Sequence, residues 1–236
     1  VIGLVGGAVF WRLSDDYSDP SLSSKSFASK NGALFYFSVA QFFAAFSASL
    51  LTFPTEKPVF LKEQSNKMYS VFAYFLSRNI MELLMTYIGP TLYTLIVYWM
   101  MNLRSGASHF FMCLLITLMV SFAGNSYGLM ISSFFNSQKV VAGMVPTVAL
   151  TFIAFSGYFK NRKDIPGWLV WINYLSPIKY SFIAYAKNEY SNTSAPIESL
   201  GFELSLAQSL VLLLVISLSA RIIAFIVLSL SKAKLQ

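Results

Sequence analysis

Charged residues are scarce in this chain. Only 11% of its 236 residues are Asp, Glu, Lys or Arg, whereas a soluble domain has about 25%. In contrast, 56% of the residues are hydrophobic and 17% are aromatic, and the mean hydropathy is +0.61. This balance excludes disordered, collagen-like and ordinary soluble proteins. It predicts an integral, multi-pass membrane protein, whose unit is a span of about 20 apolar residues.

Cysteine and histidine are almost absent as well. The single cysteine, Cys113, excludes an intrachain disulfide and a metal site made of cysteines. The single histidine, His109, excludes a histidine cluster for zinc or iron. No nucleophile and base can be paired convincingly, and there is no G-x-x-x-x-G-K-[ST] phosphate loop. We therefore predict no catalytic residue, no metal and no cofactor bound by this chain, which is not itself an enzyme.

The net charge of +7 comes from lysines and arginines that lie in short clusters between apolar runs. Such clusters are typical of loops that face lipid headgroups. We therefore expect membrane lipids as partners of these residues and no nucleic acid.

Uncharged stretches predict an all-α membrane protein with a bundle of six transmembrane helices. The first helix is truncated, since 13 residues rise only about 20 Å and the hydrocarbon core is about 30 Å thick. We therefore expect a piece of a longer protein that begins inside its first span. Within the single domain 1–236, the predicted spans are 1–13, 32–55, 80–103, 107–134, 139–159 and 205–231.

Two connections between these spans carry structure of their own. Residues 56–78 are rich in charge, and the apolar residues that follow Met68 recur at helical spacing, which predicts an amphipathic helix. Residues 164–190 begin with an apolar, aromatic run of 14 residues, a length that suits a re-entrant segment. Asp164 before Ile165-Pro166, and then Ser176-Pro177, are helix start signals. We predict a helix, a break and a second helix there.

The orientation of the spans depends on a weak indication. Asn192-Thr193-Ser194 is the only N-x-[ST] sequon, and a glycosylated Asn192 would face the outside or the lumen. This would place 56–78 in the cytosol.

Several polar residues within the spans leave two interpretations open. Arg78 and Glu82 can form an (i, i+4) ion pair or join the cytosolic helix to the third span. Arg221 can extend to the headgroups or form an ion pair inside the bundle. Gln41 and Gly124-Asn125-Ser126 can bind neighbouring helices together or line a ligand path.

Two stretches resemble the ABC transporter G subfamily, which includes eye-pigment, sterol and multidrug half-transporters. The first stretch begins with Glu56-Lys57-Pro58-Val59-Phe60-Leu61-Lys62-Glu63 and continues through Tyr69 and Tyr74-Phe75 to Glu82. The second comprises Phe155-Ser156-Gly157, Ile165-Pro166 with Trp168, Tyr174-Leu175-Ser176-Pro177-Ile178-Lys179-Tyr180 and Asn188-Glu189-Tyr190. The order, the spacing and the six-span layout all agree, and the resemblance covers essentially the whole chain.

The resemblance implies the membrane domain of an ATP-driven transporter that moves lipids, sterols or other hydrophobic compounds by alternating access. An ATP-binding domain upstream, absent from this fragment, would hold ATP and Mg. A second half-transporter would complete a homodimer or heterodimer in the plasma membrane or an endomembrane. The alternative is a channel or an ion-coupled carrier, which would favour carboxylates within the spans and two repeated halves.

The resemblance also implies roles for individual residues. The substrate path would be lined by Gln41, Phe43, Ala44, Val145, Pro146, Ala149 and Ile153, and the apolar plug would be Tyr158 and Phe159. The cytosolic coupling region would include Glu56, Lys62, Glu63, Asn66, Tyr69, Arg78 and Glu82. The external re-entrant pair carries Pro166, Trp168, Ser176, Pro177, Tyr180, Asn188 and Glu189. Cysteines that form external disulfides in some members are missing here, so a covalent dimer is not expected.

Overall fold

The computed structural model describes residues 2–11, 13, 20–66, 68–135, 137–159, 166–191 and 204–233. This part of the chain is helical and contains no strand, which confirms the all-α class. The helices are α1 (Ile2–Val9), α2 (Pro20–Ser65), α3 (Val71–Met100), α4 (Ala107–Phe134), α5 (Gln138–Ala154), α6 (Val170–Leu175), α7 (Pro177–Glu189) and α8 (Leu206–Ala233). A single 3-10 turn, Gly167–Leu169, precedes α6.

Four of the described helices are long and apolar enough to cross a membrane. They are Lys25–Gln64 within α2, Val71–Met100, Ala107–Phe134 and Leu206–Leu230. Helix α5 is shorter than the predicted span 139–159, because it ends at Ala154 and residues 155–159 form turns and bends. These lengths support a membrane bundle, and four of the six predicted spans coincide with such helices.

The connection predicted at 56–78 is divided between two helices. Helix α2 continues through Pro54 and Pro58 to Ser65, so the first part of the connection prolongs α2. Ser70 caps the next helix, since its side chain accepts a hydrogen bond from the backbone N–H of Ala73 at 3.2 Å. This cap starts α3 at Val71, so the helix predicted after Met68 is present and forms the first turns of α3.

Helix α4 lies at the centre of the bundle, against α2, α3, α7 and α8. Gly124 and Gly128 allow its backbone to approach that of α2 closely. A Cβ atom on Gly124 would lie 2.3 Å from the carbonyl oxygen of Phe42, and one on Gly128 would lie 2.6 Å from that of Phe46. Small residues four apart bring two membrane helices together in this way. The G-x-x-x-G spacing in α4 is visible in the sequence, and our prediction missed it.

The phenylalanines of α2 belong to the core. Phe37, Phe42 and Phe46 are fully buried. The ring of Phe42 lies 5.7 Å from that of Phe152 and so joins α2 to α5. A second, smaller apolar cluster lies near the C-terminal end of α2 and consists of Phe53, Phe60, Leu129, Ala224 and Leu228.

Arg221 is buried inside the bundle. Only 7% of the residue is exposed, and its guanidinium stacks 4.3 Å from the ring of Phe122. It donates hydrogen bonds to Ser126 Oγ at 2.9 Å, to Asn125 Oδ1 at 3.3 Å and to Asn79 Oδ1. Polar side chains of α3 and α4 therefore satisfy the charged group. Of the two interpretations, the one inside the bundle agrees with the structure, although the groups that accept from Arg221 are amide and hydroxyl oxygens and not a carboxylate.

Candidate functional site

The C-terminal end of α2 is joined to α3 by charged side chains. Arg78 Nη1 lies 2.5 Å from Glu56 Oε2, and Arg78 Nε lies 3.8 Å from Glu82 Oε2. The guanidinium also stacks on the ring of Phe53, 4.5 Å from its centre. The predicted pair of Arg78 and Glu82 is confirmed. The nearer partner, Glu56, lies 22 positions away on another helix, so helical spacing could not reveal it.

These charged residues border a cleft of about 410 Å³ between α2, α3 and α4. The cleft is lined by Ala48, Ser49, Thr52, Glu56, Arg78, Met81, Glu82, Thr86 and Asn125. All of these lining residues belong to one chain, so the cleft does not require a dimer partner.

The turn between α2 and α3 is held by Tyr69. Its hydroxyl donates a hydrogen bond of 2.5 Å to Glu63 Oε2, and its carbonyl oxygen accepts one of 2.9 Å from Gln64 Nε2. Burial raises the pKa of the Tyr69 hydroxyl, and the carboxylate of Glu63 adds to this rise, so the hydroxyl stays protonated and donates. Lys62 and Asn66 are exposed beside this turn.

The predicted path residues of α2 point in different directions. Gln41 is only 4% exposed, and its Oε1 atom accepts a hydrogen bond of 3.4 Å from Ser121 Oγ on α4. Phe43 is half-buried against the core, whereas Ala44 is exposed. The structure therefore places Gln41 at a contact between helices and does not bring it together with Ala44.

The predicted path residues of α5 lie on a more open helix. Val145, Ala149 and Ile153 are half-buried, and Pro146 is exposed. Val140 and Leu150 are exposed at 52% and 69%, although both are apolar. A large part of α5 therefore exposes apolar surface that the other described helices do not cover.

The two predicted plug residues have different environments. They follow Gly157, whose φ of +85° favours glycine in the turn after α5. The ring of Tyr158 stacks on that of Phe35 at 4.4 Å, with an angle of 6° between the planes. Phe159 touches the edge of Phe35 at 5.6 Å but remains 67% exposed. Tyr158 thus belongs to the aromatic core, while Phe159 faces outwards.

The helix, break and helix predicted within 164–190 are present in the described residues 167–189. Helix α6 ends at Leu175, and α7 begins with Pro177 at its first position. Ser176 lies between them but forms no side-chain cap, because its hydroxyl donates to the carbonyl oxygen of Phe152 at 3.2 Å. Asn173 Nδ2 donates to the carbonyl oxygen of Phe155 at 2.8 Å. Both bonds attach the pair to the C-terminal end of α5.

The beginning of the pair exposes aromatic rings. Pro166 precedes the 3-10 turn, and Trp168 is 74% exposed. Tyr180 on α7 is buried, and its hydroxyl donates to the carbonyl oxygen of Tyr174 at 2.8 Å. The predicted Asp164 cap and Asn192 lie outside the described residues.

The end of α7 enters a buried polar cluster, which we call the Glu189 cluster. Lys30 Nζ lies 2.5 Å from Glu189 Oε1, and each of these side chains is only 3% exposed. Both carboxylate oxygens of Glu189 accept a hydrogen bond of 3.1 Å from the backbone N–H of Arg104. Next to them, Asn188 Nδ2 donates to the carbonyl oxygen of His109 at 3.0 Å. The cluster joins α7 to α2, to α4 and to the turn after α3.

The described residues contain no group of three or more His, Cys, Asp or Glu side chains that could hold a metal ion. The family described as ABC-2 type transporter matches residues 1–190, which is most of the chain. The chain belongs to this family. It is thus an ABC-2 transmembrane domain.

The relatives of this ABC-2 domain are G-family ABC transporters. It is 32% identical over 219 residues to the Protein white of Drosophila melanogaster, covering 85% of this chain and 32% of that protein. It is 30% identical over 194 residues to ABC transporter G family member 1 of Dictyostelium discoideum, covering 80% of this chain and 24% of the relative.

A third relative is the Broad substrate specificity ATP-binding cassette transporter ABCG2 of Mus musculus. The ABC-2 domain is 30% identical to it over 194 residues, which cover 80% of this chain and 28% of the relative. The chain therefore spans about a third or less of the length of these curated relatives. The comparisons confirm the resemblance inferred from the two sequence stretches.

Proposed function

We propose that this ABC-2 domain moves lipids, sterols or other hydrophobic compounds across a membrane by alternating access, with energy from a separate ATP-binding domain. The observation that carries the proposal is the charged junction of α2 and α3. Arg78 binds Glu56 across the two helices, and Tyr69 binds Glu63 in the turn between them. A force applied to the exposed Lys62 and Asn66 would therefore reach both helices together.

The apolar character of the predicted path supports a hydrophobic substrate. Gln41 is engaged with Ser121 on α4, so the remaining path residues are apolar: Phe43, Ala44, Val145, Pro146, Ala149 and Ile153. A path of this kind would attract apolar compounds more than ions or sugars. The buried charge of Arg221 is held by Ser126, Asn79 and Asn125, which leaves it unsuited to a proton relay.

The exposed apolar residues of α5 support a second half-transporter as partner. A homodimer or heterodimer would cover Val140 and Leu150 and place two α5 helices beside a shared path. Each full-length chain of the dimer would then supply one ATP-binding domain, with ATP and Mg, to the cytosolic end of its membrane domain.

The test is transport by the full-length protein in lipid vesicles. We expect fluorescent lipids, sterols or amphipathic dyes to cross only when hydrolysable ATP and Mg are present. A non-hydrolysable ATP analogue is the matched control and should give no sustained movement. Transport that follows an ion gradient without ATP would contradict the proposal and favour the carrier alternative.

The predicted plug offers a more local test. We expect Phe159→Ala to change the transport rate several-fold while substrate affinity stays within about twofold, since a plug acts on passage and not on the binding site. Tyr158→Ala should have the same effect and also lower stability, because it removes a ring pair that contributes about 0.5–1.5 kcal/mol. Rate and affinity are measured on the same purified protein.

Tyr158→Phe is the control for the second variant, since it keeps the ring that stacks on Phe35. Equal changes in rate and affinity after Phe159→Ala would argue against a plug.

A further inference from the structure

Lys57 is a buried lysine near the C-terminal end of α2. Only 3% of the residue is exposed, and its Nζ atom donates a hydrogen bond of 2.7 Å to the carbonyl oxygen of Ser133. Ser133 lies in the last turn of α4, where carbonyl groups have no partner within the helix. A cation is also favoured there by the helix dipole. Lys57 therefore caps α4 from another helix.

Helix α2 contacts the beginning of α5 as well. Gln138, the first residue of α5, donates from Nε2 to the carbonyl oxygen of Leu51 at 3.5 Å. The end of α4 and the beginning of α5 are thus both bonded to α2, by Lys57 at Ser133 and by Gln138 at Leu51. Phe60, one turn beyond Lys57, is buried in the cluster with Leu129 of α4.

The other charged residues near Lys57 have different targets. Glu56 binds Arg78 on α3, and Glu63 binds Tyr69 in the α2–α3 turn. These contacts hold segment 56–78 together. Lys57 instead donates to Ser133 of α4, the helix that precedes α5 in the chain.

We propose that Lys57 is the positioning residue that transmits movement of segment 56–78 to α5. This inference rests on the proposed function, in which that segment receives the ATP-driven stroke and α5 borders the path. When the end of α2 moves, the bond to Ser133 takes the end of α4 with it. Helix α5 begins at Gln138, four residues after Phe134, and Gln138 is itself bonded to Leu51 of α2, so the first residues of α5 follow.

The first experiment uses Lys57→Met in the full-length protein. Methionine keeps a long apolar chain but removes the donor and the charge. We expect ATP hydrolysis to stay within about twofold, while transport per ATP falls about tenfold, as the loss of a charged hydrogen bond would give. Lys57→Arg should restore most of the transport, since arginine also donates. Lys139→Met, at an exposed lysine of α5, should have no effect.

Two results would overturn the proposal. A parallel fall of hydrolysis and transport in Lys57→Met would assign Lys57 a structural role alone. An unchanged ratio of transport to hydrolysis would show that the bond transmits nothing.

A second measurement does not depend on transport. Spin labels on cysteines introduced at Lys62 and at Lys139, an exposed residue in the first turn of α5, with other cysteines replaced, report the distance between the end of α2 and the start of α5. We expect a narrow distance distribution in the parent protein and a broader one in Lys57→Met. Identical distributions would show that Lys57 does not hold the start of α5 to the end of α2, and would overturn the proposal. If the parent shows no ATP-driven transport but the distribution is broader in Lys57→Met, the proposed function is refuted, while the structural link through Lys57 is retained.

Discussion

Glu189→Gln is expected to remove most of the folded protein. The variant leaves Lys30, whose side chain is 3% exposed, without the carboxylate that lies 2.5 Å from its Nζ atom. A buried charge that loses its partner destabilises a protein by about 3–5 kcal/mol. The effect is measured as the fraction of monodisperse protein after extraction in detergent, and as the midpoint of thermal unfolding.

The double variant Lys30→Met and Glu189→Gln separates the charge from the hydrogen bonds. It removes both charges, and the amide oxygen at position 189 can still accept from the backbone N–H of Arg104. We expect it to recover most of the lost stability, since an apolar replacement of a buried pair is often neutral. Stability equal to the parent in the single variant would show that the Glu189 cluster does not hold α7 in place.

Tyr69→Ala is expected to separate ATP hydrolysis from transport in the full-length protein. The variant removes the hydroxyl that binds Glu63 and the ring that lies 5.8 Å from that of Tyr74. The α2–α3 turn would then deform under the ATP-driven movement and transmit less of it to the two helices. We expect transport per ATP to fall about tenfold or more, while dimer assembly is unchanged. Glu82→Ala should act in the same direction, because it removes a carboxylate 3.8 Å from Arg78.

Conservative variants give the controls. Tyr69→Phe keeps the ring packing and loses only the bond to Glu63, so its loss of transport should be smaller. Glu82→Gln keeps the shape and loses the charge. Export at the level of the parent in both alanine variants would contradict the assignment of 56–78 as the coupling region.

Local signals in the sequence predicted several elements well. Ser176-Pro177 placed the break between α6 and α7, because proline fits the first turn of a helix and lacks the N–H that a continuing helix needs. The (i, i+4) spacing predicted the pair of Arg78 and Glu82. In both cases the cause lies within a few residues of its effect.

Contacts between distant residues were not predicted. Arg78 lies nearer to Glu56 than to Glu82, Arg221 binds Asn79 and Asn125 on other helices, and Gln41 turns towards α4. Each depends on how one helix is rotated against another. An almost uniformly apolar helix does not reveal this, since its apolar residues suit the core and lipid equally well.

The sequence by itself determined that this is an all-α membrane protein of a transporter family. Low charge is a property of the composition, and apolar runs and motifs are local patterns, so none of them depends on how the helices pack. Only the tertiary structure decided which polar side chains of different helices meet. The close approach of α4 to α2 at Gly124 and Gly128 sets the rotation of these helices. With that rotation, Lys57 reaches Ser133 and Gln41 reaches Ser121. Buried polar groups must find partners, and packing alone decides which partners are in reach.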